Sequence, residues 1–77
     1  MQKVILYSSP TCTYCHIVKI FLKKNNIAFE EIDVSEDEAK KKELLRKTGS
    51  ETVPVIFAGE KFVAGYDREK LKALLGL

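Results

Sequence analysis

Cys12-Thr13-Tyr14-Cys15 is the stretch of this sequence best equipped for chemistry. Two thiols separated by two residues fall within one helical turn, in range of each other for a disulfide. The pair follows a short Ser8-Ser9-Pro10 loop, which ends the apolar run Val4-Ile5-Leu6-Tyr7. That run reads as a strand buried on both faces. A helix opening at Cys12 offers it unpaired backbone N–H groups and the positive end of the helix dipole, both of which favour an anion. The thiolate is the nucleophilic form of cysteine. The position therefore predicts a lowered pKa and an exposed sulfur for Cys12, with Cys15 more buried in the first turn. Two small hydrophobes in a core helix would account for Cys15 alone. They account less well for Cys12, which stands beside polar Thr11 and Thr13.

The charge pattern sets the pair apart. Residues 1–26 contain Lys3, Lys19, Lys23 and Lys24 and no acid, whereas residues 27–39 contain six acids and no base. Over the whole chain 13 Lys and Arg face 11 Asp and Glu, a formal charge of +2. That balance gives no argument for nucleic acid. The 77 residues, 45% of them apolar and 31% charged, match an ordinary globular chain. At this size one domain, 1–77, is expected, with chemistry on the surface of a small scaffold.

Two cysteines are few for a disulfide-stapled secreted mini-domain. The first residues hold only four apolar side chains in a row, short of the roughly 7–15 of a signal peptide. No stretch approaches the ~18 apolar residues of a membrane span. The expectation is a cytoplasmic chain with no membrane partner, where a close cysteine pair points to redox or metal chemistry. Cys12-Thr13-Tyr14-Cys15-His16 also fits the C-x-x-C-H pattern of covalent haem attachment. Met1 is the only methionine and His16 the only histidine, so a second axial ligand is hard to find. A structural zinc site needs four ligands, and one chain offers Cys12, Cys15 and at most His16. No metal site is expected within the chain, although a metal or iron–sulfur cluster shared between two chains stays open.

The elements that must position the pair follow from periodicity. After the first strand, Cys15, Val18, Phe21 and Leu22 recur at helical spacing up to Lys24, and Asn25-Asn26 stops the helix. Residues 27–34 read as a second strand. Ser35-Glu36-Asp37-Glu38 fits a capping box for a helix running to about Thr48, where Gly49 ends it. Its apolar content is thin (Ala39, Leu44, Leu45). Residues 54–58 and 61–64 read as strands joined at Gly59-Glu60. Asp67 is a plausible N-cap for a last helix carrying Leu71, Leu74 and Leu75. The order is β-α-β-α-β-β-α, an α/β class with a four-stranded mixed sheet flanked by helices. The first βαβ unit should cross over right-handed between parallel strands. A CxxC beside a βαβ pattern reads as a thioredoxin-like redox motif.

With these motifs in place, the sequence resembles the glutaredoxin family, within the thioredoxin fold, over nearly its whole length. Tyr7-Ser8 leading into Cys12-Thr13-Tyr14-Cys15-His16 is similar to the family's active-site strand and helix start. Thr52-Val53-Pro54 is similar to its T-V-P segment, and Gly65 with Asp67 to part of its G-G-x-D-D segment. The resemblance implies a thiol–disulfide oxidoreductase in which Cys12 and Cys15 are catalytic. It implies a cis Val53–Pro54 peptide facing the cysteines. Tyr14, Thr52, Val53, Pro54, Gly65 and Asp67 would then line a groove for glutathione or a substrate thiol. Glutathione is the implied co-substrate, with no tightly bound cofactor. The implied partners are disulfide-containing or glutathionylated proteins, and the implied state is a monomer.

The sequence also departs from the family. Thr13 stands where many members have Pro, and Ser9 where many have Lys. Ala64 replaces the first Gly, Arg68 the second Asp, and Glu51 precedes Thr52 where a basic residue is common. Lost cations and a gained acid weaken the hold on a glutathione carboxylate. The alternative is a small redoxin reduced by thioredoxin reductase, of the type that serves ribonucleotide reductase. A non-catalytic thioredoxin-fold adaptor fits poorly with an intact cysteine pair.

Overall fold

Apolar run and helical period alternate along the chain, and the computed structural model, which describes residues 3–77, turns that alternation into layers. The order is β1 (Val4–Ser8), α1 (Thr13–Lys24), β2 (Glu30–Asp33), α2 (Glu38–Thr48), β3 (Val55–Ala58), β4 (Lys61–Ala64) and α3 (Arg68–Leu75). The strands form one sheet in the order β2-β1-β3-β4. β1 and β2 are parallel, with Leu6 opposite Glu31 and Ser8 opposite Asp33. The β1–β3 and β3–β4 pairs are antiparallel. The expected mixed four-stranded sheet and βαβ crossover are therefore both present.

Period-two alternation sends side chains of the central strands to opposite faces. Leu6 and Ile56 join Val18 and Leu22 of α1 and Leu71 of α3 in one buried cluster. Tyr7, Val55 and Phe57 join Leu44 of α2 in a second. Thus α1 and α3 cover one face of the sheet and α2 the other. Helix α2 buries Leu44 alone along its length, and Leu45 and Ala39 remain exposed. Its hold on the sheet is partly polar. The hydroxyl of buried Tyr7 donates to Glu43 Oε1 at 3.0 Å, and Lys47 Nζ pairs with the same oxygen at 3.0 Å. Burial, followed by the Glu43 bond, raises the Tyr7 phenol above its usual range.

Several boundaries differ from expectation, β3 among them, which begins at Val55 and not at Pro54. The second strand, expected over residues 27–34, spans Glu30–Asp33. Asn26 turns the chain through φ 57°, and the Ile27 N–H bonds back to Leu22 O at 2.9 Å, closing α1 instead of joining the ladder. The Ser35–Glu38 capping box does not form. Asp33 Oδ1 captures both the Ser35 N–H at 2.8 Å and its hydroxyl at 2.6 Å. Asp37 caps α2 in its place, accepting from the Lys40 N–H at 3.1 Å. The helix stops as expected at Gly49, whose φ of 80° suits a residue without Cβ. Strand β1 runs one residue beyond its apolar stretch, to buried Ser8.

Candidate active site

The carboxyl end of β1 delivers the chain into the loop of Ser9, Pro10 and Thr11. A turn closed by the Cys12 N–H on Ser9 O at 3.1 Å then sets up α1. Cys12 is the N-cap, extended at φ −90° and ψ 112°, and its own sulfur is the capping atom. The Cys15 N–H donates to Cys12 Sγ at 3.2 Å. The first turn of α1 holds no acid.

Cys15, one turn inside, is 1% exposed, whereas Cys12 is half-buried, and both are free thiols. Cys15 is sheltered as expected, whereas Cys12, expected to be exposed, is only partly so, because it caps α1 and lies against Val53 O. Burial first, and then the bond to Cys12, push the Cys15 thiol up to about 12. Smaller opposing effects come from the Ser9 backbone and the Lys19 charge.

The Val53–Pro54 peptide is cis, and the Cys12 Sγ lies 3.8 Å from Val53 O. Pro54 O in turn accepts from the Gly65 N–H at 2.7 Å. Gly65 adopts φ 81°, a conformation that L side chains rarely take. Cys12, Cys15, Val53, Pro54 and Gly65 are therefore joined by direct contacts across three loops. Asp67, two residues on, caps α3 by accepting from the Lys70 N–H at 3.1 Å. Thr52 is exposed; its N–H and hydroxyl both bond to the Ser50 hydroxyl, at 3.1 and 2.7 Å. Tyr14 projects from the first turn of α1, 60% exposed. His16 Nε2 donates to Pro10 O at 3.3 Å, which ties the ring to the loop.

One cluster beside the site has no signature in the sequence. The Ser8 hydroxyl donates to Glu31 Oε2 at 2.7 Å, and Lys19 Nζ pairs with the same oxygen at 3.0 Å. Lys19 follows Cys15 by one helical turn, so this group adjoins the sheltered sulfur. The Ser8 bond and then the Lys19 contacts hold the Glu31 carboxyl below its usual range against a partial desolvation. Only the parallel register, which turns Ser8 and Glu31 to the α1 face, brings these residues together.

A sequence model of the glutaredoxin family matches residues 4–63. Glutaredoxin 3 of Escherichia coli (strain K12) is 34% identical over 67 residues, covering 87% of this chain and 81% of the relative. Among solved structures, a point mutant of the thioredoxin-like protein BC3987 superposes with a TM-score of 0.89 at 43% identity, over 99% of this chain and 97% of that one. The E. coli NrdH-redoxin, described as a glutaredoxin-like protein with a thioredoxin-like activity profile, gives 0.80 at 26% identity, over 94% and 93%. A buckwheat glutaredoxin–glutathione complex gives 0.78 at 28% identity, over 97% and 71%. Sequence model, curated relatives and fold converge on the reading that the paired sulfurs support, and the chain belongs to the glutaredoxin family of thiol–disulfide oxidoreductases.

Proposed function

We propose that the chain reduces protein disulfides and glutathione mixed disulfides through Cys12 and Cys15. The observation that carries this reading is the half-buried Cys12 sulfur capping α1, with the Cys15 N–H 3.2 Å away and the Cys15 thiol sheltered behind it. The Cys12 thiolate attacks one sulfur of the substrate disulfide. That S–S bond breaks, the first substrate thiolate leaves and takes up a proton, and a mixed disulfide with Cys12 remains. Cys15 then attacks Cys12 Sγ and gives its proton to the departing second thiolate. The substrate gains two electrons, and the enzyme is left with a Cys12–Cys15 disulfide.

A thiol held near 12 makes a poor attacker until that proton leaves, so closure of the pair waits on proton transfer. Two glutathione molecules would restore the dithiol. The Val53 backbone beside Cys12 suits an extended thiol peptide as a short added strand, and Tyr14, Thr52, Gly65 and Asp67 would border it. The similarity to the buckwheat glutathione complex supports this groove.

A second reading, reduction by thioredoxin reductase with weak glutathione binding, draws on the similarity to NrdH-redoxin. It also draws on Ser9, Glu51 and Arg68, where the family's charges are changed. A coupled NADPH assay decides between them. Turnover with glutathione and glutathione reductase supports the first reading; turnover only with thioredoxin reductase supports the second. Cys15→Ser separates the routes further. Reduction of protein disulfides should fail, while deglutathionylation through Cys12 alone should survive. A Cys15→Ser protein that still cycles protein disulfides catalytically would overturn the dithiol mechanism.

A further inference from the structure

The redox chemistry uses only the first turn of α1. Farther along, the outer face of the same helix meets α3 across an open cleft of about 500 Å³. Its walls are apolar: Ile17, Ile20 and Phe21 from α1, and Tyr66 from the segment entering α3. Ile20 is 55% exposed and Tyr66 37%, so much of this wall faces water. Every charged residue lining the cleft is basic: Lys24 from α1, Arg68 and Lys72 from α3. None of the ion pairs among the described residues engages these three cations.

The cleft adjoins the dithiol. Tyr66 follows Gly65, whose N–H is bonded to Pro54 O at 2.7 Å. Ile17 lies about 7.5 Å and Lys24 about 18 Å along the helix from Cys12, at 1.5 Å per residue. An extended chain at ~3.3 Å per residue spans the longer distance in about six residues.

We propose that the α1–α3 cleft docks an acidic segment bearing aliphatic side chains, belonging to the disulfide substrate protein and lying within about six residues of its reactive cysteine. The inference rests on the dithiol reading above. Charge complementarity selects the occupant: three unpaired cations rim an apolar trough that no carboxylate lines. A polyanion would use the cations and leave the trough unfilled, and a net charge of +2 gives it little general attraction.

Three synthetic peptides test the assignment, each carrying one cysteine as its 2-thiopyridyl disulfide. Beside the cysteine the first has a six-residue acidic–leucine extension. The second replaces its acids by lysine, and the third replaces its leucines by serine. Attack of Cys12 on the peptide sulfur breaks the S–S bond and releases 2-thiopyridone, which is followed by absorbance. The acidic–leucine peptide should react at least tenfold faster than the lysine peptide at low salt, within the range of electrostatic steering, and severalfold faster than the acidic–serine peptide, which keeps the charge but cannot fill the apolar trough. Its lead over the lysine peptide should shrink at high salt. Lys24→Gln, Arg68→Gln and Lys72→Gln together should abolish that lead. Lys42→Gln, Arg46→Gln and Lys61→Gln together make the same charge change away from the cleft and should preserve it.

Equal rates for the three peptides would sink the docking proposal. So would an acidic–serine peptide as fast as the leucine one, or a control triple variant as impaired as the cleft variant. The neutral small disulfide 2,2′-dithiodipyridine should oxidise wild type and both triple variants alike. Failure of wild type to react with it would overturn the dithiol reading instead.

Discussion

The amino ends of the three helices face the same requirement and answer it with different atoms. Each leaves first-turn N–H groups without intrahelical partners. At α2 and α3 a carboxylate answers: Asp37 accepts from Lys40 and Asp67 from Lys70, each at 3.1 Å. At α1 the corresponding acceptor is the Cys12 sulfur, 3.2 Å from the Cys15 N–H. All three cap residues share extended backbone angles. Glu38 and Glu69 add negative charge to the first turns of α2 and α3, while α1 has none. A carboxylate cap serves stability and is chemically inert. A sulfur in the same geometry receives the same N–H support, so placing the proposed nucleophile requires nothing beyond ordinary helix capping.

Breaking this comparison at its sulfur should have the largest effect. Cys12→Ser should lower disulfide exchange by at least about a thousandfold, because the oxygen is not a thiolate nucleophile. Serine is itself a strong N-cap, so the variant should melt within about 4 °C of wild type. Cys12→Ala should be equally inactive and should also lose the cap. Losing roughly 1 kcal/mol of capping lowers Tm by about 4–8 °C in a chain of this size. If the Ala variant melts with wild type, the sulfur is not acting as a cap.

The two sulfurs can then be set against each other. With Cys15 held at about 12, four units above pH 8, only about one molecule in ten thousand carries that thiolate. Iodoacetamide at pH 8 should therefore label Cys12 at least a hundredfold faster than Cys15, as read by peptide mass mapping. Comparable labelling would remove the division of labour on which the mechanism rests.

The sequence carried the element order, the parallel first unit, the closing hairpin and the placement of Cys12 ahead of Cys15, because each is a local pattern of period, turn residue or spacing. It misled where two local patterns competed. Ser35 and Glu38 match a capping box, yet Asp33 lies two residues from Ser35 and takes both its donors. Asn25-Asn26 correctly marked the end of α1, but nothing in the sequence told that Ile27 would bond back to Leu22. The cis Val53–Pro54 bond came from family resemblance and not from the residues themselves. The Ser8–Glu31–Lys19 cluster and the α1–α3 cleft were invisible for a different reason. They join residues from different strands and helices, with Ser8 and Glu31 23 positions apart, and exist only once the sheet register is set.

Comparing the two carboxylate caps sharpens the contrast at a smaller scale. Asp37→Ala and Asp67→Ala should each cost about 1 kcal/mol of stability, read as a Tm about 4–8 °C lower. Asparagine caps as well as aspartate, so Asp37→Asn and Asp67→Asn should melt near wild type. Only Asp67→Asn should also raise the KM for glutathione severalfold, since Asp67 lies two residues past Gly65 in the proposed groove while Asp37 stands at the start of α2. Equal KM values for the two Asn variants would take Asp67 out of the glutathione site.

The smallest effect is expected behind the sheltered sulfur. Glu31 is held below the usual carboxylate range, first by the Ser8 hydroxyl and then by Lys19. Glu43, across the sheet, is held low by Lys47 and then Tyr7. A depressed folded pKa means that the unfolded chain binds more protons below about pH 4.5, so each group stabilises the fold above that pH and loses its contribution as acid protonates it. Glu31→Gln and Glu43→Gln should each flatten the acid fall of Tm. They should differ at the thiol. Glu31→Gln frees Lys19 of its partner, and Lys19 is the residue whose charge favours the Cys15 thiolate. Because that charge is the weakest of the influences on Cys15, Glu31→Gln should speed Cys15 alkylation in a Cys12→Ser background only a few-fold, while Glu43→Gln leaves it unchanged. An unchanged rate in both would make the Ser8–Glu31–Lys19 cluster a purely structural counterpart of Tyr7–Glu43–Lys47.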